Sequence, residues 1–121
     1  MTIKEFISAQ ENIARKLKIE FGADRYKIKY TEIFYIEFGK NISVPTSVIP
    51  NSKVEVIKGN DKNRIEVEMI LMFPKDISCK RKRICDRAEK LLKTNIESKG
   101  EGNFIVFTYF KNPAQFKKTS K

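Results

Sequence analysis

The chain has 121 residues, 40% hydrophobic and 11% aromatic, enough for one ordinary core; this excludes a disordered polymer and leaves no room for two full-sized domains. Lys and Arg total 25 against 15 Asp and Glu, a formal charge of +10, so acidic partners are favoured: nucleic acid, an anionic membrane surface or an acidic protein. The absence of histidine removes the commonest general base and metal ligand, and with it most hydrolytic readings.

Taken in order, Thr2 and Glu5 form a T-x-x-E capping box. Ile3, Phe6, Ile7, Ala14, Leu17 and Phe21 then follow helical spacing as far as Gly22, predicting a helix over Ile3 to Phe21 with one stripe for the core. From Tyr26 to Phe38 the apolar residues Tyr26, Ile28, Tyr30, Phe34, Ile36 and Phe38 alternate with polar ones, the period of a strand with one buried face. Glu32 interrupts that alternation, so a bend or bulge near Thr31 and Glu32, or a division into two strands, is expected. Gly39 to Asn41 offers a turn and Ile42 to Val44 a short return strand, while Pro45 and Pro50 confine SVPTSVIPNS to an edge or loop.

Lys53 to Ile57 and Ile65 to Phe73 both alternate, and the turn-forming GNDKN between them predicts a hairpin. Ser78 to Lys99 reads as a helix. Ser78 is its N-cap, with Asp76 as a second candidate, and Ile84, Ala88, Leu91, Leu92 and Ile96 form its apolar face. Its opening turns carry Lys80, Arg81, Lys82 and Arg83 at the end where the helix dipole disfavours cations. At 100° per residue, Arg81 turns toward the apolar face, whereas Lys82, Arg83, Arg87, Lys90 and Lys93 lie on the solvent arc. Acid-first spacing offers the pairs Asp86 with Lys90 and Glu89 with Lys93 in the lower half. Uncompensated charge therefore gathers at the helix entrance, where exposed backbone N–H groups also suit an anion.

Cys79 and Cys85 would sit about 9 Å apart along such a helix, on nearly opposite sides, so free thiols in a reducing compartment are expected. Phe104 to Phe110, FIVFTYF, is apolar on both faces and reads as a strand covered on two sides or meeting a partner. The charged N-terminus lacks a signal-peptide core and no apolar run reaches membrane-span length, so a cytoplasmic protein is expected. The resulting fold class is α+β: one domain over residues 1–116 and a polar tail, Lys117 to Lys121. Its order is helix, three strands, helix, strand, with both helices on one face of a mostly antiparallel sheet.

The five glycines are scattered singly and form no phosphate-binding loop, and there is no G-x-S-x-G elbow. Asp61, Glu66 and Glu68 are the remaining candidates for carboxylate chemistry. With this element order they resemble the core of PD-(D/E)XK nucleases, which implies a divalent metal held by an acid and an E-x-K on adjacent strands. Here that tripeptide is Glu66-Val67-Glu68, without the lysine. The alternative for both glutamates is the solvent side of an amphipathic strand. The run Ser78-Cys79-Lys80-Arg81-Lys82-Arg83, followed by Ala88 and Leu91, resembles the second-helix entrance of double-stranded-RNA-binding domains, which implies phosphate contacts there; the glycine-containing lead-in of that family is absent.

Stacking on nucleic-acid bases requires aromatics interleaved with cations on an exposed face. Tyr26-Lys27-Ile28-Lys29-Tyr30 and Tyr109-Phe110-Lys111 have that composition, but Tyr26 and Tyr30 share parity with core residues. Lys27, Lys29, Lys111, Lys117 and Lys118 are available to extend a basic surface. The leading expectation is a non-catalytic domain that binds DNA or RNA phosphates through Lys80, Lys82, Arg83 and Arg87, supported by Arg81 and Lys90, with no cofactor or metal. The alternative is a protein-binding module, such as a phage or mobile-element inhibitor or an assembly subunit. Its contact would run through Phe104 to Phe110 or the edge-like SVPTSVIPNS, with a protein partner or a second copy.

Overall fold

The computed structural model describes residues 2–37 and 47–113. Its elements run α1 (Ile3–Phe21), β1 (Arg25–Ile36), β2 (Lys53–Lys58), β3 (Arg64–Met72), a 3-10 turn (Ser78–Lys80), α2 (Arg81–Leu92), β4 (Glu97–Lys99) and β5 (Phe104–Lys111). The capping box forms as expected. The Thr2 hydroxyl accepts from the Glu5 N–H at 3.1 Å, and the Glu5 carboxylate accepts from the Thr2 N–H at 2.8 Å. Gly22 closes α1 in the left-handed region at φ 75°. Phe6, Gln10, Ala14 and Leu17, the buried stripe of α1, face the sheet.

The five strands form one mixed sheet in the order β2-β1-β3-β5-β4. Strands β1, β3, β5 and β4 pair antiparallel, while β2 lies parallel to β1 on its outer edge. Both helices cover one face. There Tyr30 is in register with Val67 and Tyr109, and Ile28 with Met69 and Phe107. With Leu17, Ile84 and Ala88 from the helices, these residues build the core. The domain is therefore α+β, with the expected order of helices and strands.

Three local expectations are corrected. The hairpin between the second and third strands does not form, because β1 is inserted between them: Gly59 donates to the Ile36 carbonyl at 2.9 Å, and Asn63 accepts from the Tyr35 N–H at 2.8 Å, so the turn passes over the end of β1. A parallel β1–β2 pair requires a crossover of about a dozen residues, which the segment between Ile36 and Lys53 supplies. The return strand at Ile42 to Val44 and the tail from Lys117 lie outside the described residues.

The second helix is also shorter than its apolar pattern suggests. It ends at Leu92, with Lys93 left-handed at φ 56°, and the chain turns back to lay β4 beside β5. Thr94 and Asn95 are poor helix formers, and Gly100 and Gly102 allow the tight return at φ 124° and 68°. Ile96 still packs against the core, but from the approach to β4. The middle of β5 is thus paired on both sides, which leaves its side-chain faces, not its backbone, for any partner.

No bulge occurs at Glu32, for β1 and β3 stay in unbroken register from Arg25 to Ile33. Glu32 keeps the parity of the core face and is buried, with 2% exposure. Its carboxylate accepts from the hydroxyls of Ser47 and Ser52, from the Val48 N–H at 3.0 Å and from the Ile49 N–H at 3.4 Å. Buried Ile49 follows this clasp into the core. Burial pushes the Glu32 pKa up, but the four hydrogen bonds outweigh it and hold the carboxyl below its ordinary value.

Glu32→Ala is expected to lower the urea-unfolding free energy by about 3 kcal/mol, because it orphans several buried donors. Since the folded pKa is depressed, the stabilisation from ionised Glu32 is complete above the unfolded value of about 4.3 and is lost as pH falls through the folded value. The stability difference between the native chain and Glu32→Gln should therefore shrink in acid. Parallel stability–pH curves contradict this clasp.

Candidate nucleic-acid interface

The six cations expected to form one anion site divide into two groups. Lys80 is structural: its ammonium donates to the Phe21 carbonyl at 3.0 Å, neutralising the carbonyl end of α1, and lies 5.4 Å from the Phe73 ring centroid. Arg87 bridges the two helices through Glu20, with 3.2 Å between Nε and Oε1. Arg81 reaches the Gly102 carbonyl at 3.4 Å. By contrast, Lys82, Arg83 and Lys90 are exposed and make no hydrogen bond or ion pair among the described residues. Neither Asp86 with Lys90 nor Glu89 with Lys93 forms an ion pair there, so the lower half of the helix is not neutralised by contact.

The entrance itself is less open than helical spacing suggests. The 3-10 turn uses the Lys80 N–H, which donates to the Ile77 carbonyl at 3.0 Å, and Asp76 accepts from the Ser78 N–H at 2.8 Å. Hydrogen bonds from the Ser78 hydroxyl and N–H, with a smaller contribution from the charge of Arg81, hold the Asp76 carboxyl below its ordinary value. Neither expected residue is the N-cap: Ile77 stands at that position of the 3-10 turn and Lys80 at that of α2, both without a side-chain cap bond, while Asp76 bonds locally to the Ser78 N–H. The exposed charge at this entrance is that of the Lys82 and Arg83 side chains.

The same end of the molecule carries a second basic surface that composition alone does not reveal. Strand parity directs one face of the sheet away from both helices. On it, Arg25 is in register with Met72 and Phe104, and in the next row Lys27 is in register with Ile70, Val106 and Lys99. These rows adjoin the start of α2, because the Ile77 N–H donates to the Gly102 carbonyl at 3.0 Å and the Phe73 N–H to the Asn103 carbonyl at 2.8 Å. Further along the face, the Arg64 guanidinium stacks 4.6 Å from the Phe110 centroid and 6.0 Å from that of Tyr35. Lys29 shares the open face with Lys27, whereas Lys111 lies on the helix side, 6.0 Å from the Phe6 ring centroid. Tyr26 and Tyr30 belong to the core side, as their parity requires. Arg25 and Lys99 are not among the expected site residues, and Phe104 is expected only within the strand offered to a protein partner; its even-numbered parity within FIVFTYF is the signal that separates it from the core residues of that strand.

Glu66 and Glu68 project from the helix-free face, in register with Thr31 and Lys29, and no group of three His, Cys, Asp or Glu able to hold a metal occurs among the described residues. Cys79 and Cys85 are free thiols. A cleft of about 290 Å³ between α1 and the end of β5 is lined by Gln10, Tyr109, Lys93 and Lys111. There the Tyr109 hydroxyl donates to the Gln10 side-chain carbonyl, and burial raises its pKa far beyond the ordinary range. Burial, and secondarily Glu11, pushes neighbouring Tyr30 up to about 12, so neither phenol supplies a base near neutrality. No helix of the described residues is long and apolar enough to cross a membrane. No protein-family model, curated protein or solved structure matches the chain.

The division among the cations is testable by thermal and urea denaturation. Lys80→Met should destabilise the fold by about 1 kcal/mol, whereas Lys82→Met and Arg83→Met should each stay within about 0.5 kcal/mol of the native chain. Equal losses at all three positions contradict the structural role of Lys80.

Proposed function

We propose that this domain binds nucleic acid without catalysing a reaction, contacting backbone phosphates through Lys82 and Arg83, with Lys90 and Arg87 further along α2. One observation carries the proposal: α2 is fastened to α1 by Lys80 and Arg87, yet presents Lys82, Arg83 and Lys90 to solvent without partners among the described residues. In a chain of net charge +10, these are cations whose charge the fold leaves unused. Arg83, Arg87 and Lys90 follow the i, i+4, i+7 spacing, so they lie along one stripe of a rigid element. Phosphates suit such a stripe because a guanidinium can grip two oxygens while an ammonium acts as a point charge. Contacts of this type set position and affinity and carry no base sequence.

Affinity should fall steeply with salt, since each phosphate neutralised releases condensed counterions. In fluorescence-anisotropy titrations of a labelled oligonucleotide across a salt series, Lys82→Gln/Arg83→Gln should weaken binding. It should also reduce the slope of log affinity against log salt by about 2. An unchanged slope and affinity, with the circular-dichroism spectrum preserved, overturn the assignment.

A further inference from the structure

We infer that the nucleic acid is single-stranded and passes from the start of α2 around the end of the sheet onto the helix-free face, where a base stacks on Phe104. This inference rests on phosphate binding at α2 and adds a second, chemically different contact. The two cross-strand rows at that end hold Arg25, Lys27 and Lys99 around an apolar strip formed by Met72, Phe104, Ile70 and Val106. No carboxylate stands in either row. The acids of this end, Asp24, Asp76 and Glu101, belong to the turns, and the carboxylates Glu68 and Glu97 first appear in the following row, where they bound the surface. The row from Lys27 to Lys99 crosses four strands, about 14 Å at the usual strand spacing, so cations flank the strip on both sides. Charge complementarity selects a polyanion, and the central aromatic selects one with free base faces.

Phe104 is held ready for this contact. It is 36% exposed although it lies within a strand, and its ring rests against the turn at Gly100. A Cβ added at Gly100 would stand 3.1 Å from the ring and 2.7 Å from the Phe104 carbonyl oxygen. Its φ of 124° is open only to glycine, so backbone replaces side chain beneath the ring and fixes its position before binding. A duplex keeps its base faces stacked inside and can offer this surface only phosphates. A single strand can satisfy the rim cations and the ring together.

The chain contains no tryptophan, so Phe104→Trp introduces a single reporter at the inferred stacking position. Oligothymidylate and oligouridylate should each quench its fluorescence, and their relative affinities separate DNA from RNA. Inorganic polyphosphate and a sealed duplex should bind through charge while leaving the emission nearly unchanged. In the native background, Phe104→Leu keeps an apolar strand residue but removes the ring. It should weaken single-strand binding about tenfold or more without altering the salt slope. Binding that needs Lys82 and Arg83 but is indifferent to Phe104→Leu, or equal quenching by polyphosphate, overturns this inference while leaving the α2 reading intact. Failure of the native protein to bind any of these polymers overturns both.

Discussion

The ammonium of Lys80, 3.0 Å from the carbonyl that closes α1, sits at the junction on which the domain depends. Around it the chain draws in four segments: the end of α1, the start of β1 through the Asp24 N–H on the Met72 carbonyl at 2.7 Å, the link from β3 to α2, and the turn from Gly100 to Asn103. The Asn103 side chain also donates to the Phe73 carbonyl at 2.9 Å, so this turn is bonded to the link three times, with the Phe73 N–H on the Asn103 carbonyl and the Ile77 N–H on the Gly102 carbonyl. Each bond satisfies a backbone group that would otherwise be stranded near the core, and together they fix where α2 begins. A cation conspicuous in the sequence as a binding candidate is thus committed to architecture, and that commitment lets its neighbours Lys82 and Arg83 project from a stationary base.

The legible parts of the fold are those decided by one segment alone. The Thr2 and Glu5 capping box, the stripe of α1, the alternation of Ile65 to Phe73 and the apolar face from Ile84 to Leu92 each follow from local periodicity, and each appears. The parts that were not legible depend on partners distant in sequence. Nothing within Lys53 to Lys58 shows that β1 will stand between it and β3. Likewise, nothing in the helical spacing that extends to Ile96 shows that β5 will recruit Glu97 to Lys99 as an edge strand. Glu32 is the clearest instance: a carboxylate at a core position reads as a defect until two serines and two N–H groups arrive from a loop 15 to 20 residues away. The site divides in the same way. That cations crowd the entrance of α2 is visible in the residues, but which of them find carbonyls and carboxylates depends on α1 and on the turn at Gly102.

Burial and charge jointly explain the two-sided character of the Lys80 end. On the helix side, apolar surface is consumed by the core, so the exposed remainder of α2 is almost wholly ionic. On the open side, no helix or strand among the described residues covers the sheet, and the outward half of each central strand must be soluble while retaining β propensity. Lysines and arginine at the margins with Phe104 and Met72 between them meet that requirement. The same composition makes the surface complementary to an unstacked polyanion. Farther along the sheet, Glu66, Glu68 and Glu97 reverse the local charge, which directs any such ligand toward the Lys80 end. The exposed cations on one side and the exposed Phe104 ring on the other are therefore consequences of one arrangement, the junction that brings the start of α2 beside the turn preceding Phe104.

Nuclear magnetic resonance mapping of backbone amides during titration with a short single-stranded oligonucleotide tests this arrangement most directly. The account predicts shift changes concentrated at Arg25 to Lys27, Lys82 to Arg83 and Gly100 to Phe104, all at one end of the sheet, and suppressed by added salt. Changes centred on the opposite end, around Gly59 to Asn63 or Leu92 to Thr94, would contradict it.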